Sequence, residues 1–374
     1  MVNPIAAAIP FFFLGIFIEA RVARARHVRI YRLADALANL GCGIGQQLAG
    51  LFVTGLLIAT YSWLYDGYRL VTLPVWAGWA LAVVGVDFVY YWWHRLSHEV
   101  NLLWAGHGVH HQSEDYNLAV ALRQSVVTSL TFFPFLAVLA FAGVPPLQVA
   151  VVNSVSTLYQ FWIHTELVGR LPLFERLFNS PSLHRVHHAI NPKYLDRNHG
   201  ATFIIWDRLF GTFQPEEEQC VYGMTRQLSS YNSLWAQFDG FWYLLRLARH
   251  APNPLEALKV FVMSPAWRAP WFPDPKLYPI ERREQQQKYD PQAPRGRRVW
   301  AVSQTVLLVF ATLALLIWGP GLTVPARAAA VGLVYLTLFN IGGLLENRAW
   351  VVPFEVARWT MTAASVGLFV TGRL

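Results

Sequence analysis

Ten of the twelve histidines fall between residues 94 and 199. Eight of them form three short boxes: His94 and His98; His107, His110 and His111; His184, His187 and His188. Residues three and four apart share a helical face, so each box is expected to present its imidazoles together. Imidazole binds zinc, copper, nickel or iron, and four ligands already complete a structural zinc site. Eight exceed the need of one ion and point to two ions with open positions. His164, in Phe161-Trp162-Ile163-His164-Thr165-Glu166, is a candidate ninth ligand. His27 and His250 stand apart and read as interfacial polar groups. Two carboxylates join the candidates. Asp87 precedes His94 and His98 by offsets that return it to within about 20° of their helical face. A carboxylate inside an apolar run is costly and functional by default. Asp87 is therefore expected to orient a histidine through its second ring proton or to bind metal itself, with a helix–helix hydrogen bond as the structural alternative. Glu99, directly after His98, is a candidate proton donor or a solvated interfacial acid.

The elements that position these residues are membrane helices. Of the 374 residues 55% are hydrophobic and 14% charged, where a soluble domain carries roughly a quarter charged. Mean hydropathy is +0.32. This excludes a disordered or nucleic-acid-coating protein, and the net charge of +8 reads as basic residues on one side of a bilayer. Cys42 and Cys220 form neither a disulfide framework nor a thiolate metal site. A crossing needs about 20 apolar residues. The candidates are 2–18, 48–65, 70–93, two crossings within 124–163 that turn at Gly143-Val144-Pro145-Pro146, then 299–326, 328–345 and 353–372. The first run lacks the positive start of a signal peptide and reads as a mature helix. The expected fold is an all-α polytopic membrane bundle of about eight spans. Arg21, Arg24, Arg26, Arg29 and Arg32 after the first run, and Arg295, Arg297 and Arg298 before the sixth, place the N-terminus outside. Residues 94–123, 164–298 and 346–352, and with them the histidine-rich di-metal site, then lie on the cytoplasmic side. The membrane would be the inner membrane in a bacterium and the endoplasmic reticulum in a eukaryote. The domains read as N-terminal helices 1–80, a catalytic region 81–250, a cytoplasmic linker 251–298 and C-terminal helices 299–374.

The boxes resemble those of the fatty acid hydroxylase / sterol desaturase superfamily, with its H-x-x-x-H, H-x-x-H-H and second H-x-x-H-H pattern and a preceding Asp-x-x-x-Tyr-x-x-His, here Asp87 to His94. The strings WAGHGVHHQSEDYNL (104–118), ALRQS (121–125), SPSLHRVHHAINPKYLDRNHG (180–200) and IIWDRLFGTFQPE (204–216) look like its glyceryl-ether monooxygenase branch. The resemblance implies two iron ions held by His94, His98, His107, His110, His111, His184, His187 and His188, with His164 as a further ligand. It implies O₂ and tetrahydrobiopterin as co-reactants, and hydroxylation of the ether-linked carbon of alkylglycerols, with collapse to an aldehyde and a glycerol derivative. Glu99 matches the branch. His199 departs from it, where an aromatic residue is expected, and its role stays open.

The chemistry holds together without the resemblance. Activating a C–H bond needs a redox metal, which zinc is not, and nitrogen-rich ligation suits iron. A lipid substrate reaches a site at the bilayer surface, and Glu114, Asp115, Asn117, Arg123 and Gln124 stand near the second box as candidate headgroup partners. The chain has no haem or ferredoxin motif, so electrons come from outside, from a pterin or an electron-transfer protein. Two other readings stay open at this point: a hydroxylase or desaturase of a sterol, fatty acyl, carotenoid or aminolipid substrate, and a non-catalytic metal-binding or metal-transporting membrane protein.

Overall fold

All eight apolar runs are helical. The computed structural model describes residues 4–272 and 280–371; the outermost residues of the first and last expected spans and the middle of the expected linker lie outside them. In chain order the helices are α1 (Pro4–Ala25), α2 (Leu33–Tyr68), α3 (Val75–Glu99), α4 (Asn101–His111), α5 (Thr128–Phe141), α6 (Pro146–Trp162), α7 (Pro181–His187), α8 (Ile205–Leu209), α9 (Ser233–Arg249), α10 (Pro254–Val262), α11 (Arg295–Trp318), α12 (Val324–Leu345) and α13 (Val351–Val370). Among the described residues there is no β-strand, only two isolated bridges.

Five helices are long and apolar enough to cross a bilayer: α1, α2, α3, α11 and α12. The expected eight is therefore not met by length and composition alone. With 14 residues at 1.5 Å each, α5 reaches only about 21 Å against a hydrocarbon core of about 30 Å, and α6 has 17 residues. α13 carries Glu355 and Arg358, which pair with each other at 2.5 Å. Two boundaries also move. α2 starts at Leu33 rather than 48: the Ala- and Leu-rich stretch 33–40 favours helix, and Gly41, Gly43 and Gly45 continue it through close packing on Ser233, Leu122 and Tyr335. The break between α11 and α12 falls at Gly319-Pro320-Gly321, not at Arg327, since a Gly-Pro-Gly run cannot continue a helix.

Two apolar cores hold the bundle. One joins α2 to α11 and α12 through Leu37, Ile44, Leu48, Leu308, Leu338 and Ile341. The other joins the far half of α2 to α3, α5 and α6 through Tyr61, Val86, Phe132 and Val149. At the end opposite the histidines two turns meet: the Leu70 N–H donates to the Phe141 carbonyl at 2.9 Å. Gly143, at φ +80°, packs so close that a Cβ there would lie 2.2 Å from the Val71 carbonyl oxygen. Outward-facing side chains of the long helices, such as Phe11, Leu56 and Phe310, are apolar and exposed, the pattern of a lipid-facing surface.

Candidate metal centre

α3 delivers His94 and His98 at its C-terminal end. Val100, in extended conformation, breaks the chain before α4, which carries the second box. His164 follows the end of α6. The third box sits on α7, which starts at the Ser180 cap with Pro181 in its first turn. Glu175 fixes that start by accepting from Ser180 Oγ at 2.7 Å and Ser182 Oγ at 2.6 Å.

All nine expected ligands come together, in two groups. His94, His98, His107, His111 and His187 form one; His110, His164, His184 and His188 form the other. Within each group the ligand nitrogens lie within 4.8 Å of one another, and every member is buried. The groups touch: the His111 and His188 rings stack with centroids 4.3 Å apart. The boxes do not each point at one ion, as helical spacing suggested. His107 and His111 serve one group while His110 serves the other; His184 and His188 serve one while His187 serves the other. Residues i and i+4 lie about 40° apart around a helix, but i+3 lies about 60° to the other side. The H-x-x-H-H spacing therefore divides each box between two neighbouring points.

The main chain sets the tautomers. Nδ1 of His94 donates to the His199 carbonyl at 2.7 Å, that of His110 to Arg123 at 2.9 Å, that of His164 to Gln160 at 2.7 Å and that of His187 to Arg197 at 2.9 Å. A carbonyl only accepts, so each of these rings keeps its proton on Nδ1 and turns a bare Nε2 inward. Nε2 of His110 and Nε2 of His164 face each other at 3.2 Å, two acceptors with no proton between them. Nε2 of His98, His187 and His188 is buried without a hydrogen-bond partner. Converging buried lone pairs repel one another unless a cation joins them, and the donor set fits transition-metal ions such as non-haem iron. Burial first, and neighbouring imidazoles second, hold the pKa values of His107, His111, His184, His187 and His188 well below the usual histidine value. Burial also lowers His110, to about 4. The rings are neutral and ready to ligate at pH 7.

The two acidic candidates lie elsewhere. Asp87 accepts from the N–H groups of Thr202 at 2.8 Å and Phe203 at 3.2 Å and from Trp206 Nε1 at 2.9 Å. It belongs to neither group and instead holds the turn that follows His199. Glu99 pairs with Arg95 at 2.8 Å on the surface. The His199 ring is fully buried with both nitrogens unpartnered, 5.0 Å from the His98 ring between centroids. Asp207 accepts from the N–H groups of His199 at 2.7 Å and Gly200 at 2.8 Å, and burial raises its pKa to about 6. Asn198 ties the third box through Leu183 O at 3.0 Å. Arg185 pairs with Glu216 at 2.6 Å.

The candidate headgroup partners are spent on internal contacts. Asp115 pairs with Arg32 at 3.0 Å and Lys288 at 2.7 Å, and Glu114 accepts from the Tyr289 N–H at 2.8 Å. Arg123 donates to Val109 O, Asn39 and Gln112, and Asn117 to Ile30 O. Lys288 and Tyr289 belong to a strap, residues 281–290, that lies over the second box and His164; Arg283 adds a 2.6 Å pair with Glu166. Sequence reasoning missed the strap and missed Glu19. Buried at the end of α1, Glu19 accepts from Thr165 Oγ1 at 2.5 Å, from the Leu118 N–H at 2.8 Å and from Tyr31. As the lone acid near the first apolar run, it carried a readable signal.

A helical membrane bundle with two adjoining histidine groups at one end defines a class of histidine-rich membrane metalloproteins. The fatty acid hydroxylase family model matches residues 79–212, the stretch from α3 to the turn after α8. The chain is 35% identical to alkylglycerol monooxygenase of Xenopus tropicalis over 353 residues, 93% of this chain and 78% of the relative. It is 41% identical to the Homo sapiens protein of that name over 239 residues, 63% of this chain and 53% of the relative. An ornithine lipid hydroxylase of Rhizobium tropici is 27% identical over 152 residues, 40% of this chain and 46% of the relative. No solved structure matches the chain. The chain belongs to the fatty acid hydroxylase family, among its alkylglycerol monooxygenase relatives.

Proposed function

We propose that the protein is a membrane lipid monooxygenase acting on alkylglycerols. It hydroxylates the ether-linked carbon, and the resulting hemiacetal collapses to an aldehyde and a glycerol derivative. One observation carries the reading: the bare Nε2 atoms of His110 and His164, 3.2 Å apart, within a nine-imidazole assembly of this family. His94, His98, His107, His111 and His187 would hold one iron ion, and His110, His164, His184 and His188 the other. When bound, the two ions supply the redox chemistry that turns O₂ and two electrons into an oxidant for a C–H bond. The chain's own part is to bind and orient. Main-chain carbonyls aim the rings, and Asp87 and Asp207 brace the turn that supplies one of those carbonyls. Glu99, a carboxylate paired with Arg95 at the surface, would take a proton from solvent before it could donate one. Tetrahydrobiopterin or an electron-transfer protein would supply the electrons.

Eight crossings, with the centre on the cytoplasmic side, remain our reading of the topology, as do the divisions 1–80, 81–250, 251–298 and 299–374. Support comes from the arginines. Arg32 contacts Glu114, Asp115 and Tyr231 beside the second box; Tyr231 N–H donates to Glu346 at 2.7 Å, and Arg297 donates to Arg348 O at 2.9 Å in the same loop, so the basic clusters share the histidine end. Such an excess marks the cytoplasmic face, in the inner membrane of a bacterium or the endoplasmic reticulum of a eukaryote.

The test uses detergent-purified protein loaded anaerobically with ferrous iron, then given a 1-O-alkylglycerol, tetrahydrobiopterin and air. Fatty aldehyde that depends on the pterin and disappears in His110→Ala is expected. Iron-loaded protein that oxidises other lipids but no alkylglycerol would overturn the substrate, and protein that binds no iron would overturn the oxygenase.

A further inference from the structure

Two helices in the histidine-bearing half fit neither a membrane span nor a soluble surface. α9 and α10 have 17 and 9 residues. At 1.5 Å per residue the second reaches only about 14 Å. Their inner faces pack on each other and on α4, through Leu244, Leu247, Val260 and Ala105. The fit is close: a Cβ at Gly240 would lie 2.8 Å from both Cα and O of Ala105. Their outer faces carry large apolar side chains at helical spacing: Phe238 (61% exposed), Trp242 (51%) and Leu245 on α9, and Leu255 (64%), Leu258 and Val262 on α10. Both stripes are uncovered among the described residues.

The level of this surface follows from hydrogen bonds. α3 is a membrane-length helix that ends at Glu99. Two residues on, the Asn101 N–H donates to Met263 O at 2.8 Å and its side chain to Val260 O at 2.9 Å. The C-terminal end of α10 is thus pinned to the histidine-bearing end of α3, a turn or two beyond the apolar run that ends at Trp93. The charges suit that level. Asp239 is paired with Arg226 and Glu256 with Lys259, while Arg246 and Arg249 stand exposed beside the apolar stripe. A helix with an apolar face and basic flanks lies in the plane of a bilayer surface and favours anionic lipid.

We propose that α9 and α10 form an in-plane lipid-binding platform, embedded at headgroup depth in an anionic bilayer surface, which holds α4 and its three histidines against the membrane. It rests on the reading of the chain as a membrane protein but not on the oxidation chemistry. The test places a nitrobenzoxadiazole fluorophore on cysteines introduced as Phe238→Cys, Trp242→Cys, Leu258→Cys and Arg249→Cys, with Val83→Cys on the exposed face of α3 as a reference. The native Cys42 and Cys220 are buried, and the wild-type chain gives the labelling blank. The full chain is reconstituted in phosphatidylcholine–phosphatidylglycerol vesicles with bromine on the upper acyl chain. Labels at 238, 242 and 258 should be quenched several-fold more by brominated lipid than by aqueous iodide, and the label at 249 the reverse. Iodide quenching at all three equal to that at 249, with Val83 still lipid-quenched, overturns the platform alone. Loss of lipid quenching at Val83 as well overturns the membrane reading with it. Self-quenching at 242 that rises with protein-to-lipid ratio, without lipid quenching, assigns the face to a second copy and overturns the proposal.

Discussion

Asp87→Asn separates two roles for the buried carboxylate of α3. The two oxygens of Asp87 accept three N–H donors, one on Oδ1 and two on Oδ2. Asparagine keeps one oxygen. If it replaces Oδ2, the new amide faces the Thr202 N–H, donor against donor; the opposite rotamer strands Phe203 and Trp206. At least one buried donor is left unmatched, at about 1–3 kcal/mol, and the surviving bonds lose the strength a charged acceptor gives; together the loss is about 2–5 kcal/mol. The loosened turn also carries the His199 carbonyl that orients His94 at 2.7 Å. Loss of such an orienting partner typically costs 10- to 100-fold in metal affinity. The five-histidine ion should weaken by that factor, and the four-histidine ion, which takes no ligand from α3, should change far less. Tryptophan-fluorescence melting of the detergent-solubilised protein reads the stability, and chelator competition with ferrous iron reads the two affinities. Unchanged melting and unchanged iron retention would refute the bracing role. X-ray absorption showing that the variant has lost a carboxylate oxygen from the metal would show instead that Asp87 is a ligand.

Alanine at His184 removes one of four imidazoles, and alanine at His98 one of five. Iron content should fall towards one ion per chain in the first and less in the second, by mass spectrometry after desalting; equal loss of both ions in both variants would mean the groups do not act as separate sites. Burial raises the pKa of Glu114 from the usual carboxylate value near 4.5 to about 7. Its folded form therefore gains a proton before its unfolded form does, and stability from this group is present below about pH 4.5 and lost as pH rises through 7, on the order of 3 kcal/mol. The melting temperature of wild type relative to Glu114→Gln should rise as pH falls from 8 to 5. The buried histidines act oppositely: with depressed pKa values, the metal-free protein loses stability as pH falls below about 6.5 in both variants, and a pH-independent difference between the two would contradict the assignment to Glu114. Gly240→Val would overpack the α4–α9 contact, at about 1–3 kcal/mol or more. It should lower the melting temperature and iron retention together, and a variant that melts and binds iron like wild type would show that α9 does not brace α4.

The chemistry was more legible in the amino-acid order than the geometry. Imidazoles at spacings of three and four residues announce a metal site because both the helix and the ligand are local properties. His164 was readable for the same reason, a polar ring ending an apolar run. The split within each H-x-x-H-H box follows from helical angles, but which halves of α4 and α7 share a group was not readable, because it depends on how the two helices face each other. Asp87 shows the limit of angular reasoning. It shares a face with the histidines over a helix of this length, yet the competing partner was a turn 115 residues away. The strap was invisible because Arg283, Lys288 and Tyr289 carry no pattern and gain meaning only from Glu166, Asp115 and Glu114 across the fold.

The orienting carbonyls of His199, Arg123, Gln160 and Arg197 are main-chain atoms, and that changes which substitutions the centre can survive over evolutionary time. A side-chain partner is lost with a single codon, whereas a carbonyl survives any replacement that keeps the backbone path. Position 199 can therefore exchange an aromatic ring for an imidazole without disturbing the hold on His94, and the ring becomes free to take on other work while the oxygen keeps its own. In this chain the hold on His94 constrains the backbone path at 199 more than the side chain it carries.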